Sequence, residues 1–522
     1  MTLVALSQDS GSSRWATAAR MLASVGFVAV VGTAAFADYL SSWLPAVRGF
    51  PTGAILRDGF AISFVCLAGV VLFEERSRSG PASLASPNTR GSGAIARPAF
   101  LPYMALSVWV LLLVLASPTK VPVLLAARNL LLYTLVGFAA YALFARRSLN
   151  ERVLLGTLTT VGFVAAGLGI LDTATHGGIV TSLGYRPDYS GIEGSASRLI
   201  AGASAAFQGY VRASGGISNA LVFGYLMAAM AVFGTWMLER AVMRSGWRSR
   251  PAMTYLALGI AAGLACVDSL TRGALIALLI GLLLLAAMRR SRPIFLGSVV
   301  TVGMALALTL ATSGIIAGSS AGSGTFLGLL DTVGARVSSS DQASQESTSL
   351  RVDQIRAGLQ GLVERPMGNG LGTEGAAADR SDKAKVAPDV FVLIVALQTG
   401  IVGVGLYALI FLVMLISAAR RPTQGNALAV AMIGIFGISA VLSASPDAPA
   451  FATTIWILML AASAVRAEPA TGKAIRSSGT RDRAASRDPS ADSSRTSNGK
   501  MPGTGLAAVA DQPATGRATT NI

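Results

Sequence analysis

Histidine is nearly absent from this chain. His176 is the one imidazole among 522 residues, which excludes His-rich metal centres and any mechanism needing two imidazoles. Cysteine is almost as scarce: Cys66 and Cys266 both fall within or at the end of apolar runs, so neither a disulfide framework nor a thiolate metal site is expected. Charge is the third shortage. Charged residues make up 13% of the chain against 52% hydrophobic, and mean hydropathy is +0.60, a balance that excludes a soluble domain of this length. Acidic residues are the scarcer sign, 26 against 42 Lys and Arg, for a formal net charge of +16. That excess does not point to nucleic acid. The basic residues sit in short clusters between apolar runs, with no basic stripe interleaved with aromatics.

What is present is a succession of apolar stretches long enough to cross a bilayer, at about 20 residues each. They centre on 20–37, 58–73, 99–116, 123–144, 153–173, 218–237, 252–267, 272–288, 294–317, 390–418, 426–443 and 450–466. The pattern predicts an all-α integral membrane protein of about 12 transmembrane helices, because lipid tolerates only helices or closed barrels and no strand-length alternation is visible. The run at 390–418 is long enough for a short leading helix plus a span. The first run lacks a cleavage site followed by a soluble domain and reads as a retained span.

Arginine clusters at Arg76 to Arg97, Arg146 to Arg152, Arg240 to Arg250, Arg289 to Arg292 and Arg420 to Arg421 occupy every second connection, and the positive-inside rule makes those connections cytoplasmic. Both termini then lie inside, and the connections at 38–57, 174–217 and 318–388 lie outside. The expected organisation is a cytoplasmic segment 1–19, a polytopic domain 20–466 with one large external loop 318–388, and a basic tail 467–522. The tail has almost no large apolar residues and is expected to be disordered.

Four arginines fall on the side where the rule expects few. Arg128 lies about two turns inside its span, where an arginine costs roughly 2.5–3.5 kcal/mol at mid-depth; it either snorkels to the surface or serves a ligand. Arg272 opens a span in Ser269-Leu270-Thr271-Arg272-Gly273-Ala274, adding positive charge to the positive end of a helix dipole. An anion bound there makes the placement favourable, as would neutralisation by Asp268. Arg212 precedes the sixth span in Arg212-Ala213-Ser214-Gly215-Gly216-Ile217-Ser218-Asn219. Arg351 belongs to a helix expected over Ser349 to Glu364, amphipathic with Ile355, Leu359 and Leu362 on the face that also carries Arg351, and Arg356 and Gln360 opposite. A salt bridge would also account for Arg351, and an ordinary interfacial position for Arg212. After Glu364-Arg365-Pro366 stops the helix, Gly368, Gly370 and Gly372 supply a backbone able to approach a ligand closely. Several arginines converging at a membrane edge suit a ligand with more than one phosphate, such as a lipid-linked pyrophosphate.

In this order the segments resemble the bacterial O-antigen ligase and O-antigen polymerase superfamily, which includes the Wzy-type polymerases. Arg212 to Asn219 is similar to an Arg-x-x-Gly-x-x-x-Asn segment before a span, and Ser269 to Ala274 to a Ser-Arg-Gly-Ala motif opening one. Arg351 to Gly372 is similar to the family's arginine, helix and Pro-x-x-Gly-x-Gly loop, and Asp389 to Gly403, with Gln398-Thr399-Gly400, to the segment that closes it. The resemblance covers roughly residues 120–418. It implies attack by an acceptor sugar hydroxyl on the anomeric carbon of a glycan carried by undecaprenyl pyrophosphate, without metal or cofactor. It further implies an active site on the external face of the bacterial cytoplasmic membrane, with membrane lipid and other polysaccharide assembly and chain-length proteins as partners. Arg272, Arg351 and Asp389 would be catalytic, and Arg128, Arg212, Gly368, Gly370 and Gly372 would bind substrate. Asp389 could accept the acceptor's proton or orient it, and Glu374 is a second candidate base. Family ligases carry histidine at the position of Asp389, whereas aspartate there is familiar among polysaccharide polymerases, which tilts the reading from ligase to polymerase. A flippase or transporter of the same lipid is the remaining alternative.

Overall fold

The computed structural model describes residues 3–44, 51–78, 95–118, 120–175, 182, 206–207, 210–211, 213–215, 217, 219–269, 271–289, 291, 294–303, 342–374, 390–420, 423–461 and 464–465. The helices all lie in the unit Met1–Ala467; the tail Glu468–Ile522 lies outside the described residues. The helices are α1 (Leu3–Trp43), α2 (Thr52–Arg78), α3 (Ala96–Ala116), α4 (Lys120–Ala145), α5 (Glu151–Ala174), α6 (Ala220–Ser245), α7 (Arg250–Asp268) and α8 (Arg272–Arg289). A short α9 (Ile294–Gly303) follows, then α10 (Gln342–Glu364), α11 (Phe391–Ala419), α12 (Gln424–Leu442) and α13 (Pro449–Leu460). One minimal antiparallel pair, Ala206–Phe207 with Tyr210–Val211, interrupts an otherwise helical chain.

Ten of these helices are long and apolar enough to cross a membrane by length and composition. Of the other two expected spans, the described residues of 294–317 and 450–466 form the shorter apolar helices Ile294–Gly303 and Pro449–Leu460, and residues 304–317 lie outside the described residues. The chain is a multi-pass, all-α membrane protein.

Local sequence explains the helix boundaries. Asn150, Asn219, Ser249 and Thr423 each cap a following helix by accepting a backbone N–H bond from Arg152, Val222, Ala252 and Asn426. Tertiary packing then relies on close approach. Gly234 of α6 lies directly on the backbone of Gly259 in α7, and Gly137 of α4 on Trp456 of α13, the small-residue contacts that bring helices together in lipid. Helix α6 is almost wholly buried, with Phe223, Met230, Phe233 and Trp236 fully enclosed, so the other helices wrap around it. A ring of aromatics, Phe391, Tyr407, Phe411, Phe436 and Trp456, fills the space among α11, α12 and α13.

At one end of this bundle, charge is buried and paired. Glu239 in α6 is fully enclosed and receives Arg289 of α8 on both oxygens, at 3.0–3.2 Å, and the hydroxyl of Ser291 at 2.7 Å. Arg240 binds Glu151 at 3.0 Å and stacks over Trp236. Two arginines that read as loop charges in the sequence are thus helix residues with dedicated acids.

Candidate functional site

The other end of the bundle carries the loop of interest, joined to α11 through the backbone. Helix α11 is broken at Gly400, whose φ of 70° lies in the left-handed region. A break there removes the bond that Ile401 N–H would make to the Leu397 carbonyl. The segment after α10 replaces both halves of it. Ile401 N–H donates to the Pro366 carbonyl at 2.9 Å, and Asn369 N–H donates to the Leu397 carbonyl. Trp109 of α3 donates its indole N–H to the Thr399 carbonyl at 2.9 Å, and Gln398 donates its amide N–H to the Glu374 carbonyl. The long apolar run at 390–418 is therefore a leading half, Phe391 to Thr399, buried except at Val392, and a second half whose Ile401 and Val402 are exposed, in line with the division its length suggested.

The three glycines differ in what surrounds them. All have positive φ, 82° at Gly368, 97° at Gly370 and 76° at Gly372. A Cβ on Gly368 would strike Gly400 N and Leu397 O, and one on Gly372 would strike Pro122 at the start of α4. Two of the three thus serve close contact within the protein. A Cβ on Gly370 would meet nothing within 4 Å among the described residues.

The face of α10 is also corrected. Gly358 packs on Leu393 and Gly361 on Leu397, while Leu359, expected inside, is 52% exposed together with Val363 and Met367. The two glycines let the helix backbone come close to α11, and that rotates Leu359 outward. Because Gly358 meets Leu393 and Gly361 meets Leu397, the two helices run in the same direction. Position 351 lies seven residues before Gly358, hence on the same face and about 10 Å further back along the axis, beyond the level of Phe391. The side chain of Arg351 lies outside the described residues, as do Arg212 and Asp389.

Glu374 closes the loop segment. It is 6% exposed; Asn369 reaches its Oε1 at 3.5 Å, and Arg365 in turn donates to Asn369 Oδ1 at 3.3 Å. Its Oε2 is buried without a hydrogen-bond partner among the described residues. Burial pushes the carboxyl up to about 7, with Asn369 pulling the other way.

Arg128 is neither snorkelling nor unengaged. Its guanidinium binds Asp58 of α2 at 2.7 Å and Asn129 at 2.6 and 2.9 Å. Asp58 also takes Arg57 at 2.9 Å and the hydroxyl of Tyr133 at 3.1 Å. Asn129 continues the network to Asp447, in the short 3₁₀ turn Ser445–Asp447 between α12 and α13. Asp58, Tyr133 and Asp447 escaped sequence reasoning. The acids were the signal available, since an intramembrane carboxylate needs a cationic partner.

Arg272 is half-buried at the first turn of α8. The neighbouring Gly273 lies against Tyr225 of α6 and Leu442 at the end of α12, and the Ser443 carbonyl accepts Phe391 N–H at 3.0 Å. The sequence neighbours of Arg272 and of Asp389 thereby meet at one place. The Arg-x-x-Gly segment is anchored there too. Ala213 N–H donates to the Asp268 carbonyl, and Ser214 donates its N–H and hydroxyl to Asp172 at 3.0 and 3.1 Å.

Residues 254–408 match a family model described as O-antigen ligase. The chain is also 27% identical over 426 residues to an O-antigen polymerase of Salmonella muenchen, covering 78% of this chain and 96% of that protein. Both findings support the O-antigen ligase and polymerase superfamily, and the matched range takes in α8, α10, the glycine segment and the break in α11.

Proposed function

We propose that this member of the O-antigen ligase and polymerase group is a metal-independent glycosyltransferase of the bacterial cytoplasmic membrane. It joins oligosaccharide repeat units carried on undecaprenyl pyrophosphate into a surface polysaccharide, at an active site on the external face. The observation that carries the reading is the splice of Pro366 to Glu374 into the broken helix α11, which fixes a polar, glycine-bearing loop at the end of a bundle where an apolar lipid carrier and a hydrophilic glycan meet. The similarity to an O-antigen polymerase along nearly its whole length supports it.

In this mechanism Arg272, Arg351 and Arg212 bind the pyrophosphate, and their charge is worth most where negative charge grows on the leaving group. The first turn of α8 adds its N–H groups to Arg272. Arg128, held in a triad of two guanidiniums and one carboxylate with Arg57 and Asp58, contributes positive potential from a fixed position. Gly370 leaves the backbone open to the sugar. Asp389 orients the acceptor hydroxyl at the mouth of α11. Other polysaccharide assembly and chain-length proteins are partners in the cell.

Reconstitution of the purified protein with undecaprenyl-pyrophosphate repeat units and no other acceptor tests the reading. Longer lipid-linked chains are the expected product. Unchanged units would point to a ligase that needs another acceptor, or to a transporter.

A further inference from the structure

Among the described residues two glutamates are deeply buried, Glu239 and Glu374, and their surroundings differ. Glu239 has both oxygens engaged by Arg289 and one of them by Ser291. Glu374 has one long contact from Asn369 and an Oε2 that no described group reaches. Leaving a buried carboxyl half-satisfied is costly, so its retention calls for a function.

Anchoring the loop is not that function. The attachment of this segment to α11 runs through main-chain groups on the loop side: the Pro366 carbonyl, Asn369 N–H and the Glu374 carbonyl, which Gln398 holds. The side chain of Glu374 adds nothing to these bonds. It is instead oriented by a relay in which Arg365 fixes the Asn369 amide and that amide faces Oε1. Two residues before Glu374, Gly372 seats the chain on Pro122, and four before it Gly370 is open. The carboxyl is thus held on a segment seated against α4 at Gly372, four residues after a glycine whose Cβ position is open.

We infer that Glu374 is the general base of the transfer, taking the proton of the acceptor sugar hydroxyl on Oε2, an inference that rests on the glycosyl-transfer reading above. As the O–H proton moves to the carboxylate, the hydroxyl oxygen forms the new bond to the anomeric carbon. The bond from that carbon to the pyrophosphate oxygen breaks, and its electron pair departs on the lipid pyrophosphate. The proton then passes from Glu374 to water, and no oxidant, metal or further reactant is needed. A carboxyl that burial has moved to about 7 is both ionised in part at neutral pH and basic enough to accept a proton, the compromise that general-base catalysis favours. Asp389 is left as the residue that orients the acceptor.

The test uses the full-length protein in liposomes with undecaprenyl-pyrophosphate repeat units, comparing wild type, Glu374→Gln and Glu374→Asp. Wild-type rate should rise through about pH 7. Glu374→Gln should lower kcat by about 100-fold or more, leave KM for the donor unchanged and lose that pH limb, while Glu374→Asp keeps part of the rate. Infrared titration of the protein without substrate should reveal a carboxyl with a midpoint of about 7 that is missing from Glu374→Gln. Glu374→Gln with wild-type kcat and pH dependence would overturn the inference, as would a defect confined to KM or the lack of that carboxyl band. A wild-type protein that elongates nothing would instead sink the glycosyl-transfer reading and the inference with it. Wild type and Glu374→Gln elongating equally would sink the inference alone.

Discussion

The two ends of the bundle handle buried charge in opposite ways. Around Glu239, Arg289 and Ser291 engage the carboxylate on both oxygens, and Arg240 binds Glu151. Around the broken helix, paired groups such as Asp58 with Arg57 and Arg128 stand at the same end as Glu374, whose Oε2 has no partner among the described residues. The two share residue types and degree of burial. They differ at the carboxyls: both oxygens of Glu239 accept hydrogen bonds, whereas Oε2 of Glu374 meets no donor among the described residues, and under the proposed function the second is the one that meets substrate.

Breaking the completed end should cost most. Arg289→Ala leaves Glu239 charged and unpaired in a dry interior, an expected loss of about 3–5 kcal/mol, read as depletion of folded protein from the membrane. Arg289→Lys with near-normal levels would show that the pair matters less than its burial suggests. At the other end, Arg272→Ala and Arg351→Ala should abolish polymer formation, each removing about 3 kcal/mol of transition-state stabilisation, while protein levels hold. Normal chain-length ladders from both would sink the assignment of the arginines.

Gly400→Ala sharpens the contrast differently. It forces a side chain into a left-handed conformation and against Met367 and Pro366, for a loss of about 1–3 kcal/mol, so limited proteolysis should find the loop released before the bundle unfolds. Equal protease resistance in variant and wild type would argue against the splice. Smallest is Tyr133→Phe, which removes one of the bonds to Asp58 and should lower thermal stability by about 0.5–1.5 kcal/mol without altering product length.

A pH effect on stability follows from the same contrast. The Glu374 carboxyl titrates from 4.5 when unfolded to about 7 when folded. The folded state therefore holds the extra proton between those values, and the contribution is fully present below about 4.5 and lost as pH rises toward 7. Thermal melts of Glu374→Gln should lack that part of the decline.

Much of this was legible in the sequence, and the reasons are physical. Apolar runs report membrane helices directly because lipid allows no other way to satisfy the backbone, and the length of 390–418 already implied a division. The seam itself was not legible. Gly400 sits among apolar residues that read as one helix, and its partners Pro366 and Asn369 are more than 30 positions away. The phase of α10 failed because hydrophobicity was taken to mark the inner face, whereas Gly358 and Gly361 mark it by what they lack. Arg128 stood out in the sequence while Asp58, 70 residues earlier, did not, since side-chain pairing across helices has no periodic signature.

The break at Gly400 also makes α11 a jointed member. The main-chain bonds from Pro366 and Asn369 fall on either side of the joint, so the loop segment is clamped across it like a splint. Any movement of residues 366–374 must carry the leading half of α11 with it or tear both bonds. A displacement of the loop would therefore travel along Phe391 to Thr399 into the end of α12, through the bond from Phe391 to Ser443, and reach the helix end that Gly273 touches.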